Sequence, residues 1–395
     1  MPTRSTRLCI YRRRPRATPT SPRSPPARRS VRHCCPHSPS RSGDWGLRSG
    51  HSRWALVTLV LASLATPVRA CEISDTKFSA AWKAILTCDH PLCSGGVAYS
   101  RPADVTPCDI WHDIQARIHT DLRGGGVLIL GEIHDNARHH RLRAAVLDSG
   151  ILPLPQPPAI VFEQFRTDHQ PAIDAFMALP KEGRTLDAFF KAVEWDKSGW
   201  SKYDYKPLFE AVLAAGLPIY AGDAPRNVIR NAAKEGAASI PPEEQKRLGL
   251  DVPQSDLLND ASLTEIEASH CDMMPKSAFG GMAFAQRVRD ATLADVTLKA
   301  RDKHGSAIVI AGNGHGRSDR GVPWYLRQRA PALKVVTVAL VEVEAGKTDP
   351  EAYVPRDPDG KPAADAVIFT PRAERGDPCE AFRKPLKAPA ADPKN

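Results

Sequence analysis

From Gly126 onward, short uninterrupted apolar runs alternate with amphipathic stretches of helical period. Val127 to Leu130, Ala159 to Phe162, Leu217 to Tyr220 and Ala307 to Ala311 are too short for buried helices and rich in β-branched or aromatic residues, so they predict strands. Their unbroken apolar character predicts cover on both faces, as in a parallel sheet. Lys334 to Val343 predicts a further strand, at an edge or in the interior. Ala137 to Leu147, Tyr205 to Ala215, Leu257 to Cys271 and Met282 to Lys303 carry helical periodicity, and residues 224–305 show no strand pattern. The whole predicts an α/β fold: a mostly parallel sheet flanked by helices, with a helical cap insertion.

The flanks have a different texture. Residues 1–53 hold thirteen Arg, no Lys and one acid, Asp44, among many Ser and Pro. Such a stretch has too little apolar side chain to offset the entropy of ordering, which predicts disorder. A start codon assigned too far upstream explains the composition equally well. Arg53, the apolar stretch Trp54 to Pro67 and the small-residue site Val68-Arg69-Ala70 then have the order of an export signal over residues 54–70. That apolar run falls short of the roughly 20 residues a spanning helix needs. The remaining divisions are a Cys-rich segment over 71–115, the α/β domain with its cap over 116–345 and a C-terminal extension over 346–395. The tail from Arg372, rich in Lys, Pro and Ala, is expected to be mobile apart from Cys379.

Charge and cysteines sharpen this picture. The full chain carries +9, whereas residues 71–395 hold 40 basic against 44 acidic side chains, a net of −4. The basic character belongs to the leader, so the domain has no electrostatic case for nucleic-acid binding. Cleavage after Ala70 leaves six cysteines (Cys71, Cys88, Cys93, Cys108, Cys271, Cys379), an even number that suits disulfides in an oxidising compartment. Cys88, Cys93 and Cys108 are close enough in sequence to staple a loop, and Cys88-Asp89-His90 with Cys93 lacks the second pair of a zinc ribbon. Two export forms follow: a soluble periplasmic protein, or a lipoprotein of the outer membrane anchored through Cys71. Arg69 stands where a lipoprotein signal has a small or apolar residue, which favours the soluble form.

In an open parallel α/β sheet, ligands bind outside the carboxyl ends of the strands. Here the first strand is followed by Gly131-Glu132-Ile133-His134-Asp135-Asn136, the second by Glu163-Gln164, the third by Gly222-Asp223 and the fourth by Gly312-Asn313-Gly314-His315. Four successive strand ends therefore carry a carboxylate, an imidazole or both. Asp135 and Asn136 supply N-cap chemistry for the helix at Ala137, leaving His134 for another role. His139 reads as a solvated face residue, while His140 is placed to reach the strand end. Glu163 suits a site or a helix N-terminus, and Asp223 suits a site or a cap. Arg226 and Asn227 follow as carboxylate binders or a solvated first turn. His134, His315 and Glu163 suffice for a zinc, manganese, cobalt or iron site with an open position. A metal-dependent hydrolase would add Glu132 or Asp223 to orient or deprotonate the metal-bound water. There is no His-Glu-x-x-His helix, nucleophile elbow or P-loop, and Gly124-Gly125-Gly126 lies on the wrong side of the strand for phosphate.

The run Leu130-Gly-Glu-Ile-His-Asp-Asn136 followed by His139-His140 resembles the opening signature of ChaN-type proteins in the haem-binding uptake, Tiki superfamily. Val161-Phe-Glu-Gln164, His270-Cys-Asp-Met-Met-Pro275, Ala285-Gln-Arg-Val-Arg-Asp-Ala291 and Ala311-Gly-Asn-Gly-His-Gly316 running to Gly321-Val-Pro323 agree with it, over roughly residues 115–345. The resemblance implies a cell-envelope protein, often a lipoprotein, that binds haem in iron uptake and pairs two chains around stacked haems. The superfamily also contains metal-dependent proteases, whose paired Gly-x-x-His motifs and Glu match Gly131 to His134, Gly312 to His315 and Glu163. Haem needs an apolar slot and an axial ligand. Candidates are His134, His140 and His315 at the strand ends, Tyr203 and Tyr205 after Trp195 and Trp200, and His270, Met273 and Met274 on the cap, with Arg226 and Asn227 for a propionate.

Overall fold

Val127–Leu130, Ala159–Arg166, Ile219–Asp223, Ala307–Ile310 and Val335–Glu342 form strands β2 to β6 at or near the expected positions. Two strands were not expected: β1, Ala98–Ser100, and β7, Ala366–Thr370. The computed structural model describes residues 85, 88–94, 98–100, 117–149, 154, 156–271, 273–377 and 379–380. The leader, the export signal, Cys71, Cys108 and residues 381–395 lie outside the described residues.

The sheet order is β1-β7-β6-β2-β5-β3-β4. All neighbours from β7 to β4 run parallel, and β1 adds antiparallel to β7 at one edge. The strand reading of Lys334 to Val343 thus becomes an interior strand. The segments expected to flank the domain contribute β1 and β7, so the sheet extends on both sides of the 116–345 span. Leu92, Cys93, Val354, Val367 and Phe369 bury one another over that end.

Alternate residues of the central strands feed two cores, which is why their apolar runs are unbroken. Leu128, Leu130, Ile160, Phe162, Ile308 and Ile310 pack towards helices α1 (Ala137–Ser149), α2 (Gln170–Met177), α3 (Leu186–Ala192) and α4 (Lys206–Ala214). Val127, Ile129, Ala159, Val161, Ala307 and Val309 pack against α5 (Arg226–Glu235) and α6 (Pro242–Leu248), against α8 (Phe279–His304), and against α9 (Val322–Arg329). Between α6 and α8 runs α7, Asp256–Ser269.

The expected cap is only part of residues 224–305. The C-terminal half of α8 buries Ala291, Leu293, Ala294 and Ala300 in the second core, as the crossover that returns the chain to β5. What rises over the strand ends is α7 with the first turns of α8, and no residue of α7 is buried.

The tail is also tied down. Arg375 donates to Asp135 Oδ1 and Oδ2 and to both carboxylate oxygens of Glu342, and Cys379 is disulfide-bonded to Cys271. The expected mobility of residues 372–377 fails because two carboxylates at the ends of β2 and β6 hold one guanidinium in the geometry a fork of N–H donors satisfies. Cys88 pairs with Cys93.

Phe162 sits in the middle of β3 against Phe165 and Phe209, with no exposed surface. Phe162→Ala is expected to cost about 3–5 kcal/mol of stability, read by urea unfolding.

Candidate functional site

The four strand ends do meet, because β5 lies between β2 and β3 and so puts His315 between His134 and Glu163. The loop after β2 is locked in place first. Gly131 N–H donates to Val338 O at 2.8 Å, and a Cβ at Gly131 would collide with the Asn313 side chain. Asn313 in turn bonds Leu340 N and O on β6, fastening the β5 loop to the same edge. Ile133 N–H donates to His139 Nδ1 at 2.8 Å, and His139 Nε2 meets Thr370 Oγ1 at 2.8 Å. His139 is fully buried rather than solvated, and burial pushes its pKa down to about 3, so it is a neutral acceptor that shapes the loop. Asn136 Oδ1 accepts from Arg138 N–H, the cap expected of it.

Glu132 turns inward beneath this loop. Its Oε1 accepts from Gln164 Nε2 and Tyr205 Oη and lies 2.7 Å from His134 Nδ1. Its Oε2 meets the Arg143 guanidinium and lies 3.2 Å from His140 Nε2. Arg143 is 1% exposed, and burial lowers its pKa to about 10. Its remaining N–H groups find no hydrogen-bond partner, so Glu132 is its principal counter-charge. His140 stacks on Tyr205 at 3.9 Å between ring centroids and shares a 2.7 Å hydrogen bond with Asp204 O.

Glu163 organises the other half. The register of β3 against β4 shifts between Phe162 and Arg166, and there Glu163 turns over the sheet edge. Oε2 accepts Gly312 N–H at 2.7 Å; Oε1 accepts Arg289 Nη2 at 2.8 Å and lies 3.2 Å from His315 Nε2. His315 Nδ1 sits 2.6 Å from Asp290 Oδ1. Burial alone would lower the His315 pKa, but the flanking Glu163 and Asp290 carboxylates outweigh it and raise the value to about 10. Both ring nitrogens are therefore donors. Glu163 is driven the other way: burial raises its pKa, and His315, His134 and Arg289 together pull it well below the usual carboxylate value. Asp223 is held by Arg289 and by Ala224 N–H.

His134 is the exception in this network. Burial is the main effect and lowers its pKa; the Glu163 carboxylate opposes it, and His315 and Arg289 lower it further, which favours the neutral ring. With Nδ1–H donating to Glu132, the lone pair is on Nε2, which lies 3.9 Å from Glu163 Oε1, beyond hydrogen-bond range. The side chain is 35% exposed, with Trp200 edge-on at 4.7 Å. Gly312 makes room for it: a Cβ there would come within 2.8 Å of His134 Cε1 and Nε2. The ring faces a cavity of about 480 Å³ between the strand ends and the cap. Ile266, Met282 and Ala283 give that cavity an apolar wall, and His270 is also on it.

Several expectations are corrected. His134, His315 and Glu163 converge, yet among the described residues no group of three or more His, Cys, Asp and Glu is disposed to hold a metal ion. Arg289 donates to Glu163 Oε1, and His315 Nδ1 lies against Asp290 rather than facing the cavity with Glu163 and His134 alone. Glu132 and Asp223 have their oxygens filled by cations and N–H groups, so neither is poised to deprotonate a water. His140 and Tyr205 are buried inside the Glu132 network. Tyr203 lines a separate cavity of about 660 Å³ with Phe190, Trp195 and Lys202. Arg226 and Asn227 are a solvated first turn, and Met274 is exposed on the cap rather than on the cavity wall. Sequence reasoning missed Arg143, Gln164, Arg289 and Asp290 as site residues, although the last two stand in the Ala285 to Ala291 block.

Fold and site together define an α/β protein with a strand-end ligand cavity beneath a helical lid. The chain belongs to the haem-binding uptake, Tiki superfamily, ChaN family, whose model matches residues 118–326, more than half of its length. Among solved structures it is similar to ChaN of Campylobacter jejuni with cofacial haem, at 19% identity and a TM-score of 0.47, over 65% of this chain and 91% of that one. It is also similar to an erythromycin esterase variant in its open conformation, at 12% identity and a TM-score of 0.34, over 67% and 95%. No protein among the curated sequences matches.

Two outcomes follow from the buried charges. Glu132→Gln, which strips Arg143 of its counter-charge, is expected to cost about 3–5 kcal/mol in urea unfolding. Stability should also fall on both sides of about pH 6.5. His315, raised to about 10, contributes fully below its usual 6.5 and loses that contribution as pH rises through 10. His139 and His140, lowered to about 3 and 4, refuse protons that the unfolded chain takes up as pH drops below 6.5. Unfolding measured from pH 4 to 10 checks both limbs, and His315→Gln should flatten the alkaline one.

Proposed function

We propose that this protein binds haem in the strand-end cavity, with His134 Nε2 as the axial ligand, and serves haem or iron uptake in the cell envelope. The observation that carries the reading is the His134 ring: neutral, backed by a carboxylate at Nδ1, and turned with a bare Nε2 into the cavity. That is the arrangement in which a second partner fixes the tautomer and strengthens the ligating nitrogen. Family membership supports haem as the ligand.

The residues present fit the group. The cavity volume falls within the roughly 300–1,000 Å³ of ligand pockets. Ile266, Met282 and Ala283 supply apolar wall. Bound haem would bring iron redox and ligand-exchange chemistry. The chain's own part is to hold the His134 ring in one tautomer and to shield it with Trp200.

Export rests on the residue 54–70 signal, and the absence of a small residue at Arg69 favours a soluble periplasmic form over a lipid anchor at Cys71. Leu257, Met273 and Met274, exposed on the cap, offer apolar surface for a homodimer.

Haem added to purified residues 71–395 is expected to give a Soret band, and His134→Ala should weaken binding by about 10–100-fold, the scale of losing an iron-ligand interaction. His315→Gln should leave the band position unchanged. Equal binding by wild type and His134→Ala would contradict the assignment of the ligand.

A further inference from the structure

The lid over the cavity is held by a fastening that the rest of the site does not require. Helix α7 contributes Ser262, Glu265, Ile266 and Ser269 to the cavity lining, yet none of its residues is buried. A helix with so little buried surface has little packing energy of its own to keep it down. One noncovalent hold on the body is the Glu265 to Arg320 ion pair, at an exposed carboxylate. The covalent hold is at the helix C-terminus, where Cys271 is disulfide-bonded to Cys379 across 108 residues of sequence.

Cys379 belongs to a segment that is itself clamped. Four residues upstream, Arg375 bonds Asp135 and Glu342 with distances of 2.6–2.7 Å. Asp135 adjoins His134, and Cys271 adjoins His270; both histidines line the cavity, one from the strand ends and the other from the lid. The tail therefore joins the two walls. Four extended residues span at most about 14 Å. Adding the 5.7 Å between the Cys271 and Cys379 Cα atoms, the end of α7 stays within roughly 20 Å of Arg375 while the bond is intact.

We propose that the Cys271–Cys379 disulfide, anchored through Arg375, is a redox-breakable strap, which limits how far α7 lifts from the strand ends and so sets how fast a ligand leaves the cavity. A dithiol opens it by exchange. One thiolate attacks a disulfide sulfur to form a mixed disulfide, the second thiolate displaces the protein sulfur, the dithiol ends as its own disulfide, and Cys271 and Cys379 end as two thiols. Both cysteines are half-buried and so within reach of such a reagent. With the disulfide gone, Arg375 still holds the tail, but the Cys271–Cys379 bond no longer joins α7 to it. The identity of the departing ligand as haem rests on the function proposed above; the strap does not.

The test is amide hydrogen exchange over residues 256–269 in the full protein. Three states are compared with wild type: a Cys271→Ser, Cys379→Ser double variant, wild type treated with a dithiol, and Arg375→Ala with the disulfide intact. The double variant changes this disulfide and leaves Cys88–Cys93 in place. Exchange in α7 should speed up about tenfold or more in the first two states and by less in the third, since opening of a sparsely buried element follows its local stability. Unchanged α7 exchange in the first two would overturn the strap. In parallel, transfer of bound haem to an excess of apo-globin should quicken about fivefold or more when the strap is open, as expected when a tether's effective concentration is lost. Faster α7 exchange with unchanged haem transfer would overturn the claim that the strap governs exit. A wild type that takes up no haem would sink the haem reading, and the exchange measurement would then judge the strap alone.

Discussion

The site depends on a single buried carboxylate. Glu163 accepts Gly312 N–H, Arg289 and His315 at once, and those three partners fix the β5 loop, the first half of α8 and the protonation of His315. Because a buried charge is costly unless paired, each of these groups is bound to its neighbour more firmly than surface ions are. The result is a floor of interleaved charges, in which Glu163, Asp223 and Asp290 face Arg289 and His315. His134 stands there, and burial is the main cause of its lowered pKa, with the Glu163 carboxylate opposing it.

The two Gly-x-x-His segments are alike in sequence and opposite in state. His315 lies between Glu163 and Asp290 and carries a proton on each nitrogen; His134 lies between Glu132 and open space and keeps a lone pair. That asymmetry distinguishes the surroundings of two histidines that the sequence presents alike. Glu132 performs the second-partner role for His134 while also neutralising Arg143, so one carboxylate links the helix α1 core to the orientation of the ligand ring. Strand order makes the meeting possible, since β5 between β2 and β3 puts all three loops on one edge.

The unbroken apolar runs made the central strands legible in the sequence, because burial on both faces leaves no room for polar residues. β7 was hidden by its setting: Ala366–Thr370 is short and follows a stretch rich in Pro, Asp and Gly. The strand-end rule pointed to Glu132, His134, Glu163 and His315, and the structure brings these four to one edge of the sheet, with Glu163 inside β3 rather than beyond it. It could not assign charge, which depends on partners far away in the chain: Arg289 and Asp290 from α8, Arg143 from α1. Tyr205 and His140 looked available because their side chains are polar, but burial and the Glu132 network consume them. The tail looked mobile because its composition is polar, and Arg375 with Cys379 overrides composition through three specific bonding partners.

The central claim is the difference in protonation between His134 and His315, and nitrogen-15 NMR of the imidazole rings reads it directly. At pH 8, without haem, His134 is expected to show one protonated nitrogen, Nδ1, and one bare nitrogen, Nε2, while His315 shows both nitrogens protonated. Two neutral rings, or a bare nitrogen on His315, would contradict it.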